Sequence, residues 1–247
     1  MVNLKNEKVI LTERLKELDA IASELDALPE GYLAKKRAST YYHVIKDRQA
    51  GITKNTPLIQ QLCRKRYLLA RKGQLEQNLA ATTPDELDMR TPQELIATLP
   101  KAYQSAPIHY FYHPSVDKWK GRPPTHEIHP ESAIYTYNGI RFRSMAERTI
   151  AELLDKNGLL YRYEFTLGLM DRDVSPDFIV KNPFTNKTVI WEHFGGFNHK
   201  NYADGMNDKM DAYLNQGFCP SKDLITTYQY HIRNPERAQK IIDEMIL

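Results

Sequence analysis

The sequence has little cysteine and no long apolar run. Its two cysteines, Cys63 and Cys219, lie far apart and show neither CxxC nor metal-ligand spacing, so a reducing cytoplasm is the expected compartment. No apolar run approaches the roughly 20 residues of a membrane-spanning helix. The first residues contain no apolar segment typical of a signal peptide. We therefore expect a cytoplasmic protein with no membrane partner.

Acidic residues are almost absent between Gly31 and Gly73, where Asp47 is the single acid. Eleven basic residues against this one acid give the stretch a local charge of +10. Such a one-sided stretch favours a polyanionic partner, most often nucleic acid, over the alternative of a solvated basic face. The candidate contacts are Lys35, Lys36, Arg37, Arg64, Lys65 and Arg66.

The length of 247 residues, with 41% hydrophobic and 26% charged residues, is typical of a globular protein. The order of predicted helices and strands indicates an α/β (α+β) fold. We expect a helix–β-hairpin–helix module over residues 1–80, a linker over 81–133 and a second domain over 134–247. In the module, a helix over 4–28 is expected to pack on a second helix over 57–80, capped by Thr56. A homodimer through these helices is a further expectation. An apolar seam in the first helix supports this packing: Leu11, Leu15, Leu18, Ala22 and Leu25.

The expected linker is rich in proline and begins with two helix-start signals. Thr83-Pro84-Asp85-Glu86 and Thr91-Pro92-Gln93-Glu94 each place proline after a capping threonine and glutamate at the third helical position. His126-Glu127-Ile128-His129 lies among prolines without partner ligands at a recognised spacing. We do not expect it to bind zinc.

From residue 134 onward the pattern predicts the element order α-β-β-β-α-β followed by a terminal helix. Val174–Val180 and Thr188–His193 are expected to form a hairpin that turns between Phe184 and Thr185. This register places Asp177 opposite Glu192 on one face, with Cβ atoms about 5 Å apart. Two opposed carboxylates are tolerable when a divalent cation lies between them, or when one of them stays protonated. If a cation is present, oxygen ligands favour Mg²⁺ or Mn²⁺. A register slip of one residue is the alternative, and it would turn one acid to solvent.

Two further charged residues are predicted to face inward. Glu147 shares a helical stripe with apolar residues and also completes a capping box with Ser144. Lys209 lies on one helix face with Tyr202, Met206 and Tyr213, where burying its charge is costly unless acids compensate it. The opposed acids and the inward lysine therefore explain each other, although a lysine that reaches out to solvent is the alternative.

Together, Pro176-Asp177, Glu192, the helical Glu147 and this element order resemble the PD-(D/E)XK nuclease superfamily, the restriction-endonuclease-like fold. The resemblance covers about residues 135–230. The usual lysine position, two residues after the second acid, holds Phe194 here, and Lys209 is similar to the variant in which the lysine has moved to the following helix. The N-terminal module, with its Tyr41-Tyr42 pair, is similar to that of uncharacterised bacterial and phage-associated proteins carrying such domains.

The resemblance implies a Mg²⁺- or Mn²⁺-dependent endonuclease that hydrolyses phosphodiester bonds, with DNA as the expected substrate. Asp177, Glu192 and the carbonyl of His193 would hold the metal, and Glu147 would act through water or at a second ion. Lys209 would orient the attacking water or stabilise the transition state. The His193 side chain is expected to face away from Glu192. Three arginines near the helix entrance are expected to hold flanking phosphates: Arg141, Arg143 and Arg148.

Two other functions stay open at this point. A nucleic-acid-binding protein on an inactive nuclease fold would keep the basic surface and lose cleavage. A protein-interaction adaptor would act through the N-terminal helices, and its binding would barely change with salt, unlike charge-driven binding of nucleic acid.

Overall fold

The computed structural model describes residues 2–36, 40–120, 133–195, 200–220 and 222–246, with residues 2–10 and 200–204 described by their backbone only. The chain forms an α+β protein with two compact units, Met1–His113 and Pro114–Leu247. Residues 81–113, which we expected in a linker, are therefore part of the first unit. Arg37 and the histidines of 126–129 lie outside the described residues. Across the described ranges, no helix is long and apolar enough to cross a membrane.

The first unit contains four α-helices and a three-stranded sheet among its described residues. Its elements are α1 (Val2–Asp26), β1 (Tyr32–Lys36), β2 (Thr40–Ile45), β3 (Arg48–Gly51), α2 (Thr56–Ala80), α3 (Pro92–Ala97) and α4 (Lys101–Gln104), with 3₁₀ turns at Pro84–Glu86 and Ile108–Phe111. The predicted hairpin thus gains a third strand. All three strands pair antiparallel in the order β1-β2-β3. Asn55 caps α2 through its side chain, which corrects the expected cap at Thr56.

The α1 helix packs on α2, as predicted, through a face that only partly matches the predicted seam: Leu18 and Leu25 are half-buried. Leu11 and Leu15 are 47% and 48% exposed, while Ile21 is buried. The inward side also carries acids, since Glu17 pairs with Arg71 and Glu24 with Arg64, each at 2.8 Å. The predicted seam was therefore right in part, because half-buried ion pairs share the inward side of α1 with the leucines.

The two predicted threonine-capped turns differ from each other. At Thr91 the capping box is complete, with Glu94 bonding back to the Thr91 N–H, and α3 follows. At Thr83 no side-chain cap forms, and the chain makes a single 3₁₀ turn. Glu86 accepts from the Thr82 N–H instead.

The second unit is built on a four-stranded mixed sheet. Its elements are α5 (Ser115–Lys120), β4 (Tyr135–Tyr137), β5 (Ile140–Phe142), α6 (Met145–Lys156), β6 (Leu160–Tyr163), β7 (Leu167–Gly168), β8 (Asp173–Val174), β9 (Phe178–Lys181), β10 (Thr188–Phe194), α7 (Lys200–Gln216), β11 (Leu224–Tyr228), α8 (Gln229–Ile232) and α9 (Pro235–Met245). The sheet order is β11-β10-β9-β6. Within this sheet β10 and β11 run parallel, and the other neighbouring strands run antiparallel. Along the chain, the order α6-β6-β9-β10-α7-β11 matches the predicted element order.

Strands of this unit are broken where the chain turns. Before the first helix of this order, β4 and β5 form a small hairpin, because Asn138 and Gly139 both adopt positive φ. The expected strand over 174–180 is split into β8 and β9. Asp177 lies in the gap between them, so its backbone is outside the ladder that joins β9 to β10.

The two faces of the mixed sheet pack against different helices. Phe178, Val180 and Trp191 belong to the larger core, which also includes residues of α6 and α9. The alternate residue Ile190 belongs to a second core with Ala212 and Tyr213 of α7. Side chains alternate along each strand, so Glu192 and Asp177 point to the α7 side.

Candidate active site

The β9–β10 hairpin has the predicted register. Lys181 pairs with Thr188 and Phe178 with Trp191, so the next opposed positions are Asp177 and Glu192. At that point the ladder is continued by a side chain, because the His193 N–H donates to Asp177 Oδ2 at 2.7 Å. This bond fixes one carboxylate oxygen of Asp177 at the edge of the hairpin.

Among the described residues of the second unit, Glu192 is the most deeply buried acid, at 1% exposure. Lys209 Nζ reaches both of its oxygens, at 3.0 and 3.1 Å, and also donates to the Ser175 carbonyl at 2.8 Å. The Tyr213 hydroxyl, one helical turn further along α7, donates to Glu192 Oε1 at 2.6 Å. Burial and the neighbouring Glu192 charge raise the pKa of Tyr213, so this hydroxyl remains a donor. Lys209 thus faces the sheet, as the helical stripe predicted.

Glu147 is buried at the first turn of α6 and completes the predicted capping box with Ser144. Its Oε2 accepts from the Arg143 N–H at 3.0 Å and from the Tyr163 hydroxyl at 2.5 Å. Burial and this hydrogen bond raise the pKa of Tyr163. One carboxylate oxygen of Glu147 is therefore committed to holding the entrance of α6.

Glu164 is a buried acid that the sequence analysis missed. Its backbone has φ of 48°, which is unfavourable for a residue other than glycine or asparagine, and its N–H donates to the Asp177 carbonyl at 3.0 Å. Its carboxylate pairs with Arg143, whose guanidinium also lies 3.8 Å from Asp177 Oδ1. No sequence pattern marks a glutamate for this conformation, because the strain is set by tertiary contacts.

Negative charge exceeds positive charge among the described residues of this site. Four carboxylates are at most 7% exposed, and two cations, Arg143 and Lys209, face them. Burial, and then the charge of Glu192, raises the pKa of Asp177 to about 8. The four buried acids are Glu147, Glu164, Asp177 and Glu192.

These side chains suit a hard divalent cation, since their oxygens are carboxylate oxygens. The positive charge of such a cation would also offset the excess negative charge of the site. The geometry is less complete. Within the described ranges, no group of three or more His, Cys, Asp or Glu side chains is arranged to hold a metal ion. Asp177 and Glu192 are the two acids on the α7 side, and Glu192 is already engaged by Lys209.

His193 and Phe194 follow Glu192 on alternate faces of β10. The His193 ring is buried on the opposite side, where Nδ1 lies 3.1 Å from Thr227 Oγ1, and burial lowers its pKa. This is the packing position that the sequence predicted, while its carbonyl as a metal ligand stays a prediction. Phe194 is buried on the Glu192 side near Tyr228, with ring centroids 6.0 Å apart.

The three candidate phosphate-binding arginines of this unit have different surroundings. Arg143 contacts the acids of the site, and its side chain is 45% exposed. Arg148 pairs with Glu152 at 3.0 Å on the outer side of α6. Arg141 donates to the Ala133 carbonyl at 2.7 Å. Of the three, Arg143 is joined to the acidic cluster.

The basic residues of the first unit also separate into two groups. Arg64 is 4% exposed, is bound bidentately by Glu24 and donates to the Phe111 carbonyl. The expectation that Arg64 contacts nucleic acid is therefore wrong, because its guanidinium is used inside the unit. Lys65 donates to the Pro29 carbonyl. The remaining described candidates are exposed or half-exposed: Lys35, Lys36 and Arg66.

Comparisons with known proteins add one distant relative. No protein-family profile matches the sequence, and no solved structure matches it. An uncharacterised protein of Methanocaldococcus jannaschii, MJ1519, is 33% identical over 86 residues. The matched segment makes up 34% of this chain and 7% of that protein. This similarity does not indicate an activity for the chain, because the relative is itself uncharacterised.

Proposed function

We propose that this chain is a metal-dependent phosphodiesterase of the PD-(D/E)XK type, an endonuclease acting on DNA in the cytoplasm. The observation that carries the proposal is the position of Lys209. Its ammonium rests on both oxygens of Glu192, one strand away from the buried Asp177. A buried acid pair with a lysine supplied by the following helix is the arrangement that the sequence resemblance requires.

In this proposal Asp177 and Glu192 would hold Mg²⁺ or Mn²⁺. When bound, the metal would lower the pKa of a water and neutralise charge on the scissile phosphate. Lys209 would place its ammonium beside that phosphate or water, where a fixed positive charge stabilises developing negative charge. Arg143, partly exposed next to Asp177, would hold an adjoining phosphate. Glu147 would keep the entrance of α6 in place.

The test is a cleavage assay on the full chain with Mg²⁺ or Mn²⁺ over duplex, single-stranded and branched DNA and the matching RNAs. We expect Lys209→Ala to slow cleavage about 10²- to 10³-fold. Lys240→Ala is the matched control, because Lys240 is an exposed helical lysine with its side chain 74% accessible. Asp177→Asn should remove metal-dependent cleavage, while the exposed Asp171→Asn should not.

Cleavage that proceeds equally well in Lys209→Ala and Lys240→Ala would contradict the proposal. A wild-type chain that cuts none of these substrates with either metal would also contradict it. That second outcome would favour a nucleic-acid-binding protein with an inactive site. The specific observation in favour of this alternative is that both Glu192 oxygens already contact Lys209. Salt-dependent binding without cleavage would identify it.

A further inference from the structure

The three-stranded sheet of the first unit has one face turned away from the helices. Leu33 marks the inner face, since it is 2% exposed and its N–H donates to the Tyr103 hydroxyl. Lys35, on the same side, reaches Ser105 at 2.8 Å. The alternating residues of β1 and their partners on β2 and β3 therefore form the opposite side, here termed the outer sheet face: Tyr32, Ala34, Lys36, Tyr42, Val44 and Gln49.

The outer sheet face presents two aromatic rings. Tyr32 is 54% exposed, and Tyr42 is half-buried. Tyr32 pairs with Val44, two residues beyond Tyr42, so the two tyrosines are diagonal neighbours about 7–8 Å apart. Gly51 stands opposite Tyr42 on β3, and even an added Cβ there would come no nearer than 4.0 Å to the ring. No side chain from position 51 therefore covers the Tyr42 ring.

One cation of the outer sheet face, Lys36, lies beside the Tyr42 ring. Lys36 Nζ lies 5.3 Å from the Tyr42 ring centroid and donates to Gln49 at 2.9 Å, so it is held beside the aromatic surface. Over the described residues 31–36 and 40–55, five basic residues stand against the single acid Asp47, a net charge of +4. The face thus combines two aromatic rings with Lys36, within a segment of net positive charge, which matches a polyanion that also carries flat aromatic groups.

We propose that the outer sheet face binds single-stranded nucleic acid. Unpaired bases stack on Tyr32 and Tyr42, and Lys36 contacts the phosphate chain between them. Aromatic stacking combined with a basic surface is how proteins hold single strands without reading sequence. A duplex is a poorer partner because the faces of its bases are already covered by their neighbours. The proposal concerns the first unit and does not depend on cleavage by the second.

The experiment measures binding of the full chain to a fluorescent oligothymidylate by anisotropy, with chelator present so that cleavage plays no part. Tyr32→Ala and Tyr42→Ala should each weaken binding about 5- to 150-fold, whereas Tyr32→Phe and Tyr42→Phe should keep it. Tyr230→Ala is the matched control, because Tyr230 is 57% exposed and lies in the second unit. Lys36→Ala should reduce the slope of log affinity against log salt by about 0.7.

Two results would overturn the proposal. In one, the wild-type chain binds a duplex of the same strand as tightly as the single strand. In the other, Tyr32→Ala binds like wild type while its circular dichroism is unchanged. Tyr32 decides the matter if Tyr42→Ala fails to fold, because an exposed ring contributes little to folding. A chain that cleaves no substrate can still bind the oligothymidylate through Tyr32 and Tyr42. The two proposals are therefore tested separately.

Discussion

Replacing Asp177 by asparagine should make the metal-free protein more stable while removing its proposed activity. Asp177 is 5% exposed and lies opposite Glu192. Its side chain accepts a hydrogen bond from the His193 N–H, which needs an oxygen that asparagine also has. The substitution therefore keeps the shape and the acceptor, and it removes a buried negative charge beside another one.

The magnitude follows from the raised pKa. The Asp177 pKa is about 8 in the folded chain against 3.8 for the ordinary group, and each step of one in pKa corresponds to about 1.4 kcal/mol. Side chains around the ionised group can adjust and reduce the full penalty. We therefore expect Asp177→Asn to raise the free energy of unfolding by about 2–3 kcal/mol above pH 8.

The dependence on pH has a definite sign. Below about pH 4 the carboxyl is protonated in both states, so wild type and Asp177→Asn should be nearly equal. Between about pH 4 and pH 8 the unfolded chain releases this proton while the folded chain keeps it, so wild type loses stability as pH rises. Above about pH 8 both states are ionised, and the difference between the two proteins should level off.

Urea denaturation followed by tryptophan fluorescence measures this effect in the correct unit, because both tryptophans, Trp119 and Trp191, belong to the second unit. The measurement should be made with chelator near pH 5, 7 and 9 and repeated with excess Mg²⁺. In the proposed function Mg²⁺ stabilises wild type and leaves Asp177→Asn nearly unchanged. An Asp177→Asn protein that is less stable than wild type near pH 9 without metal would refute the reasoning. Asp177 would then be a structural partner rather than a site held at a cost.

Other predictions concern single contacts. Arg64→Met should lower the free energy of unfolding of the first unit by about 1–3 kcal/mol, because the half-buried Glu24 carboxylate and the Phe111 carbonyl lose a donor. The exposed Arg66→Met should change it by less than about 0.5 kcal/mol. Circular dichroism is the measurement. Equal effects of the two substitutions would contradict the assigned burial. Tyr213→Phe removes a donor to the buried Glu192 and should cost about 1–3 kcal/mol by tryptophan fluorescence, and a neutral result would argue against that hydrogen bond.

The sequence predicted the features of the second unit that follow from local geometry. The hairpin register is set by strand alternation and turn position, and the inward face of α7 is set by helical spacing, so Glu192 and Lys209 could be paired in advance. The break between β8 and β9 was not predictable from β-favouring residues. Glu164 was also missed, because nothing local indicates that a glutamate will adopt positive φ.

The first unit shows the opposite limit. Its two long helices were predicted, yet two leucines assigned to the contact face of α1, Leu11 and Leu15, are exposed. Arg64 was assigned to a ligand although it serves the interior. A sequence shows which residues are charged, but whether a charge is buried depends on a partner 40 positions away, here Glu24. Such long-range pairing has no periodic signal.

The three oxygens around the Lys209 ammonium also affect how the site would bind a metal ion. An ammonium has three N–H donors, and Lys209 directs them at the Ser175 carbonyl and the two oxygens of Glu192. The lysine is thus a resident counter-ion that competes for the same carboxylate as any divalent cation. Lys209→Met would remove this competitor, so calorimetry should show tighter Mg²⁺ binding in a protein that cleaves less. Affinity for the metal and rate of cleavage would then move in opposite directions.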